Sequence, residues 1–358
     1  MTLSKTETYT RRAGNYYLLF TNSNLMRKLF VTGGAGFIGS AFIRLALAEL
    51  PDCRITNFDA LTYAGNPDNL AGMDERRYSF VHGDISDREA VAAALAEGAD
   101  AVINFAAETH VDRSIADATE FLRTNITGTQ VLLDAARARG VQRFVHISTD
   151  EVMGSLPEDD EAAFFTESSP LDPKNPYAAT KAAAEHLVHA AHHTHGLDTV
   201  ITRCGNNYGP RQFPEKLIPL VIANALRGEA VPVYGDGRNV RDWLYVTDHC
   251  DALRAVLAKG RPGQTYNIGG ESERDNNEVV QTLCRLLEQA RPRQSGSYAD
   301  LIAFVTDRAG HDRRYAVNIS KIRSELGWQP AESFETGLAK TVQWYLANLQ
   351  RHFAEAAT

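Results

Sequence analysis

A short apolar run, Lys28 to Thr32, leads straight into Gly33-Gly34-Ala35-Gly36-Phe37-Ile38-Gly39 and then into the apolar pattern of Ala41 to Leu50. Strand, glycine turn and helix in that order predict the opening unit of a parallel sheet. Gly33, Gly36 and Gly39 suit a tight turn, close approach of backbone to a pyrophosphate, and close packing of helix on strand. The second strand, Arg54 to Phe58, ends in Asp59, twenty residues beyond Gly39. A carboxylate there binds an adenosine ribose 2′-hydroxyl and repels a 2′-phosphate, so NAD is expected over NADP. The alternative is that Asp59 merely opens a turn.

The alternation continues. Tyr78 to Val81 reads as a strand ending in Gly83-Asp84-Ile85, Asp87 to Glu97 as a helix, and Ala101 to Phe105 as a strand ending in Ala106-Ala107-Glu108-Thr109. Residues Ala116 to Arg139 read as one helical stretch in which Thr124 and Asn125 interrupt the apolar face, either exposed or turned to the cofactor. The expected class is α/β: a doubly wound parallel Rossmann sheet with a smaller, mixed C-terminal substrate-binding domain. The expected division is a loosely ordered tail over 1–26, an NAD-binding domain over 27–205 with a return segment near 238–265, a substrate domain over 206–237 and 266–350, and a tail over 351–358. Met26, just before the first strand, offers an alternative start.

The chemistry is expected at the end of the strand Arg143 to Ser148, which delivers Thr149, Asp150 and Glu151. Ligands of open parallel sheets bind beyond the carboxyl ends of the strands, where a hydroxyl and two adjacent carboxylates are poorly placed for mere packing. After an acidic loop from Gly154 to Pro173, expected as a surface excursion over the site, Tyr177 and Lys181 stand four apart on one helix face running to about His195. A phenol with an ordinary pKa of about 10 is a poor base unless its anion is stabilised, and Lys181 is the expected stabiliser. Five histidines on that helix, His186 to His195, lack an HExxH pattern, and no metal site is expected.

The formal net charge of −8 argues against a nucleic-acid partner. No apolar run approaches the roughly 20 residues that span a bilayer, so no membrane partner is expected. Cys53, Cys204, Cys250 and Cys284 form no ligand spacing, and the expected setting is the reducing cytoplasm. An anionic substrate then needs local cations. Lys216, Arg241 and Arg308 can supply them, though each taken alone reads more readily as a surface salt bridge. A last amphipathic helix is expected from about Phe334 to Leu349.

With these residues in view, the chain resembles the extended short-chain dehydrogenase/reductases, and within them the nucleotide-sugar 4,6-dehydratases, those acting on dTDP-glucose above all. TGGAGFIG and YAATK carry the general resemblance; AAETHVDRS, STDEV, NNYGP, FPEKLIP, RDWLYV and GHDRRY carry the specific one. The Asp-Glu pair of STDEV separates it from the epimerases and decarboxylases of the same superfamily. The resemblance implies Thr149, Asp150, Glu151, Tyr177 and Lys181 as the catalytic set. It implies an NAD site of Gly33, Gly36, Phe37, Ile38, Gly39, Asp59, Thr62, Asp84, Ile85, Ala106, Ala107 and Thr124, completed by Tyr177, Lys181 and Asn207. Around a nucleoside-diphosphate hexose it places Thr109, Thr149, Asn206, Lys216, Leu217, Pro232, Val233, Tyr234, Arg241, Asn276, Arg308 and His311. It also implies a homodimer formed through the long helices. Met153 stands where such enzymes carry Tyr, Ala309 replaces a Pro, and Thr109 replaces a Ser, none of which alters the reaction type.

Overall fold

The computed structural model describes residues 26–160, 162–307 and 310–349. The expected tails, apart from Met26, lie outside the described residues, as do Arg308 and Ala309. The first half runs β1 (Lys28–Thr32), α1 (Phe37–Glu49), β2 (Arg54–Asp59), β3 (Tyr78–His82), α2 (Arg88–Ala94) and β4 (Ala101–Asn104). It continues with α3 (Val111–Ala116), α4 (Thr119–Phe121), α5 (Thr129–Ala138), β5 (Arg143–Thr149), α6 (Pro176–His195) and β6 (Thr199–Cys204). The second half holds β7 (Asn206–Tyr208), α7 (Leu217–Arg227), β8 (Val231–Tyr234), β9 (Val240–Tyr245), α8 (Val246–Lys259) and β10 (Thr265–Ile268). Then come β11 (Glu273–Asp275), α9 (Asn276–Ala290), β12 (Ile302–Val305), α10 (Ser320–Leu326) and α11 (Phe334–Ala347).

Seven strands form one parallel sheet in the order β10-β6-β5-β4-β1-β2-β3. Every residue of β4, β5 and β6 is buried, as parallel strands covered on both faces require. Successive side chains go to opposite layers. Leu29, Val31, Val145 and Ile147 pack with Phe42 and Ile43 of α1 and Leu253 and Val256 of α8. Phe30, Val102 and Phe144 pack with Val91 of α2, Leu132 of α5 and Val188 of α6. The strand order reverses between β1 and β4, which places the ligand crevice at their carboxyl ends.

The remaining strands pair separately, β11-β9-β7 and β12-β8, and α7, α9 and α11 enclose an apolar core of their own with Val231 and Val233. Two sheet memberships differ from the sequence expectation. β10 begins at the end of the 238–265 return and joins the large sheet beside β6. β9, inside that return, pairs instead in the small sheet. Of the return, the helix α8 is what covers the large sheet.

Two further expectations are corrected. The helical stretch from Ala116 breaks at Asp117, whose backbone is extended and whose carboxylate caps Thr119. It then passes through a π-helical turn, Leu122–Gly128, before α5. The loop 154–173 is pinned rather than draped, because it carries two apolar anchors. Leu156 and Phe165 are buried in the large core, and their N–H groups donate to the carbonyls of Arg314 and Ala316 at 3.0 and 2.9 Å.

Candidate active site

β5 ends at the sheet centre, and the chain turns immediately into a 3₁₀ turn over Asp150–Met153, released by Gly154 at φ 80°. Thr149 caps that turn: its hydroxyl accepts from Glu151 N–H at 3.3 Å and donates to Asp150 Oδ1 at 3.3 Å. The Tyr177 phenol lies within the influence of the same hydroxyl, which favours its anion. Thr149 therefore stands between the carboxylates that follow β5 and the phenol of α6. α6 starts cleanly, with Asn175 as cap and Pro176 at its first position, where a missing N–H costs nothing. Tyr177 is fixed further by Ser114 Oγ, 3.2 Å from its N–H, and by the edge of Phe121.

Burial sets the electrostatics. Asp150 is 2% exposed, and burial together with the neighbouring Glu151 and Asp242 carboxylates pushes its acid well above the usual carboxylate range. Its Oδ2 has no hydrogen-bond partner among the described residues. Burial, and after it the Glu151 charge, pushes the Tyr177 phenol well up, while the Thr149 hydrogen bond pulls it down. Lys181 stands one turn beyond Tyr177 on α6; its Nζ donates to the Ile147 carbonyl at 2.6 Å, and burial lowers its pKa to about 8. Buried Cys204, beside this group, is pushed up to about 12 by burial.

The glycine turn has the geometry its spacing demands. Gly33 sits at φ 68°, and a Cβ there would stand 2.6 Å from Ala106 N; one on Gly39 would run into the Gly33 carbonyl oxygen. At Gly36 an added Cβ would meet only that oxygen, at 3.3 Å, and no side chain caps α1, so the helix N-terminus opens beside β4. These features fit a dinucleotide pyrophosphate. Asp59 shapes the turns beside it: its oxygens accept from Ala35 N and Leu61 N at 2.8 Å each. Thr62 lies in the loop that follows, its carbonyl accepting from Gly65 N. Phe37 and Ile38 open α1, and Ala106 and Ala107 follow β4.

Ile85 is buried against Gly128 of the π-helical turn. Burial raises the Asp84 carboxyl, but Ser86 and Arg123 outweigh it and hold the group below its ordinary range. Thr124 stays half-buried, whereas Asn125 turns inward. The Asn125 side chain accepts from Glu108 N and donates to Glu108 O and Thr180 Oγ1, bolting the β4 loop to α6. Asn207 is held by the Gly205 carbonyl and by His249.

On the other side, a cleft is lined by Glu151, Asn175, Asn206, Arg241, His311 and Tyr315. Arg241 is nearly buried, donates to the carbonyls of Asp312 and Arg313, and lies over the Tyr315 ring at 4.3 Å. His311 pairs with Asp307 at 2.6 Å. Lys216, at the head of α7 beside Leu217, donates to the Thr109 carbonyl at 3.1 Å. Asn276 opens α9, its N–H on the Asn239 carbonyl. Pro232 and Tyr234 face outward from β8, but Val233 points into the second core, so the structure gives it only a backbone role toward any ligand. Arg308 lies outside the described residues.

Sequence reasoning passed over Asn175 and Tyr315. Asn before Pro at a helix start is a capping signal that could have drawn attention to Asn175. Nothing local marks Tyr315.

Comparison with known proteins agrees with this geometry. The family model described as GDP-mannose 4,6 dehydratase matches residues 30–341. The dTDP-glucose 4,6-dehydratase of Xanthomonas campestris pv. campestris (strain B100) is 56% identical over 335 residues, covering 90% of this chain and 94% of that one. Among solved structures, DesIV, a dTDP-glucose 4,6-dehydratase from Streptomyces venezuelae with NAD and TYD bound, superposes with a TM-score of 0.83 at 50% identity, over 90% of this chain and 97% of that one. A UDP-glucose 4-epimerase from Thermotoga maritima superposes almost as well, with a TM-score of 0.80, at only 28% identity over 90% of this chain and 99% of that one. Backbone alone therefore does not separate dehydration from epimerisation.

Proposed function

The chain belongs to the GDP-mannose 4,6 dehydratase family, and on that premise we propose how it acts as an NAD-dependent dTDP-glucose 4,6-dehydratase. The reaction removes water from dTDP-D-glucose and leaves dTDP-4-keto-6-deoxy-D-glucose. The observation that carries the reading is the Thr149-Asp150-Glu151 turn beside Tyr177, with the first carboxyl buried and its pKa pushed well up next to the second.

Bound NAD would supply the hydride acceptor for C4 of the hexose and the hydride donor for C6. Tyr177 takes the C4 hydroxyl proton, aligned by the Thr149 hydroxyl, while Lys181 adds positive charge one turn further along α6. The 4-ketone acidifies the C5 proton, which Glu151 removes. Asp150 donates its proton to the C6 hydroxyl, which departs as water. A final proton restores C5. Two adjacent carboxylates divided into acid and base is the arrangement expected where environment drives their pKa values apart. Gly33, Gly36, Gly39, Asp59 and the loop after β4 hold the cofactor. Asn206, Lys216, Arg241 and His311 face the sugar nucleotide.

The test is incubation of purified protein with dTDP-, UDP- and GDP-hexoses followed by mass spectrometry. The expected product of dTDP-glucose is lighter by one water, formed without added oxidant. An isomer of unchanged mass would replace this reading with epimerisation.

The same proposal extends to assembly and place. The groove between α5 and α6, where Leu133, Leu187, Ala190 and Leu197 meet, supports pairing of two copies through these helices; light scattering on the purified chain tests it. Four unpaired, buried cysteines support a cytoplasmic setting, and no helix among the described residues is long and apolar enough to cross a membrane; fractionation tests it. The domain division keeps 27–205 as the cofactor half and assigns α8 and β10 to it. The small sheets with α7, α9 and α11 form the sugar-nucleotide half.

A further inference from the structure

We propose that Asn175 is a positioning residue for the elimination step, capping α6 with one end of its amide and holding the Glu151 carboxylate with the other. This rests on the assignment of Glu151 as the C5 base. Asn175 is 7% exposed, and its Oδ1 accepts from Ala178 N–H at 2.9 Å. That bond fixes the orientation of the amide, because the reverse would point NH₂ at an N–H donor. Nδ2 is thereby turned to Glu151 Oε2, 3.5 Å away. Both side chains border the cleft shared with Asn206 and Arg241.

Capping alone does not require an amide, since Ser and Asp cap as well as Asn. What the amide adds is a donor aimed at Glu151. A donor favours the carboxylate anion, the form a base needs, while Oδ2 of neighbouring Asp150 has no such partner. Tyr177 lies two residues beyond the cap, so one side chain sets the register of the phenol and the bearing of the base together. Among the described residues, the charged and titratable groups around Glu151 include Asp150 from its own turn, Tyr177 from α6, Arg241 from β9, and His311, Asp312 and Tyr315 from the segment beyond β12.

Two variants of the full chain, carrying its cofactor, test the role. Asn175→Ser retains the cap but not the reach. Asn175→Asp retains the cap and replaces the donor with a carboxylate. The readouts are C4 oxidation by single-turnover absorbance of the reduced nicotinamide, C5 exchange in D₂O, and the pH profile of water loss. With Asn175→Ser, exchange and elimination fall about tenfold while oxidation holds within about threefold, the scale of one lost charge-assisted hydrogen bond. With Asn175→Asp, the acid limb of the profile moves up by about 1 pH unit, as a like charge beside the base requires. Equal slowing of oxidation and exchange in the first variant, or an unshifted profile in the second, overturns the role. Failure of the unaltered enzyme to release water from dTDP-glucose would instead strike the functional assignment itself.

Discussion

The Thr149 hydroxyl donates to Oδ1 of Asp150 across 3.3 Å, which leaves Oδ2 as the oxygen without a partner in the buried pocket. Burial and two neighbouring carboxylates drive the Asp150 acid well above its ordinary range, and Oδ2 is the oxygen on which its proton would sit. The acid is thus aimed, and Glu151, less buried on the next residue, is its partner in the proposed division of labour.

Replacing Asp150 by Asn keeps the acceptor for Thr149 and removes the proton. Elimination is expected to fall by about 10² to 10⁴, the range for a lost general acid, with C4 oxidation far less affected. Glu151→Gln behaves alike and also abolishes C5 exchange. Rapid-quench mass spectrometry separates the steps; equal loss of both would refute the division of labour.

Lys181 titrates near pH 8 because it is buried. Activity that needs its ammonium declines as pH rises through about 8. Stability moves the other way. The folded pKa lies below the ordinary 10.5, so between about 8 and 10.5 the unfolded chain binds more protons and stability rises with pH. Lys181→Met is expected to abolish turnover and flatten that rise. Urea unfolding across pH 7 to 10.5 measures it.

Glu185 and Arg203 form a buried ion pair, 0% and 5% exposed in their side chains, with Nη2 to Oε2 at 2.7 Å. Glu185→Ala strands a buried guanidinium and should cost about 3–5 kcal/mol, whereas Glu185→Leu with Arg203→Met should cost clearly less. Urea midpoints of the single and double variants decide it.

Gly39→Ala drives a methyl into the Gly33 carbonyl oxygen, whereas Gly98, at φ 69° with nothing within 4 Å, is a control for backbone strain alone. Gly39→Ala is expected to purify without bound NAD. Gly98→Ala loses about 1 kcal/mol of stability and keeps its cofactor. The ratio of nucleotide to protein absorbance after desalting reads both.

The parallel sheet was legible because its central strands are covered on both faces and so are written as largely apolar runs. Tyr177 and Lys181 were legible because four residues is one helical turn. The π-helical turn at Leu122–Gly128 was not, since what holds Asn125 inward is Glu108 and Thr180, 17 and 55 residues away. The inward turn of Val233 was illegible for a related reason. Alternation says that β8 has two faces, and only α7, α9 and α11 decide which is inside.

By itself the sequence determined the alternation of strands and helices through β6, the glycine crossing at β1, and the set of reactive groups, because these depend on periodicity and on neighbours a few residues away. Only the tertiary structure decided which of two adjacent carboxyls burial drives upward, that Lys181 donates to Ile147, and that Asn175 reaches Glu151. Desolvation and charge depend on what surrounds a group in space, and those surroundings come from β5, α6, β9 and the segment around Tyr315, which are far apart along the chain.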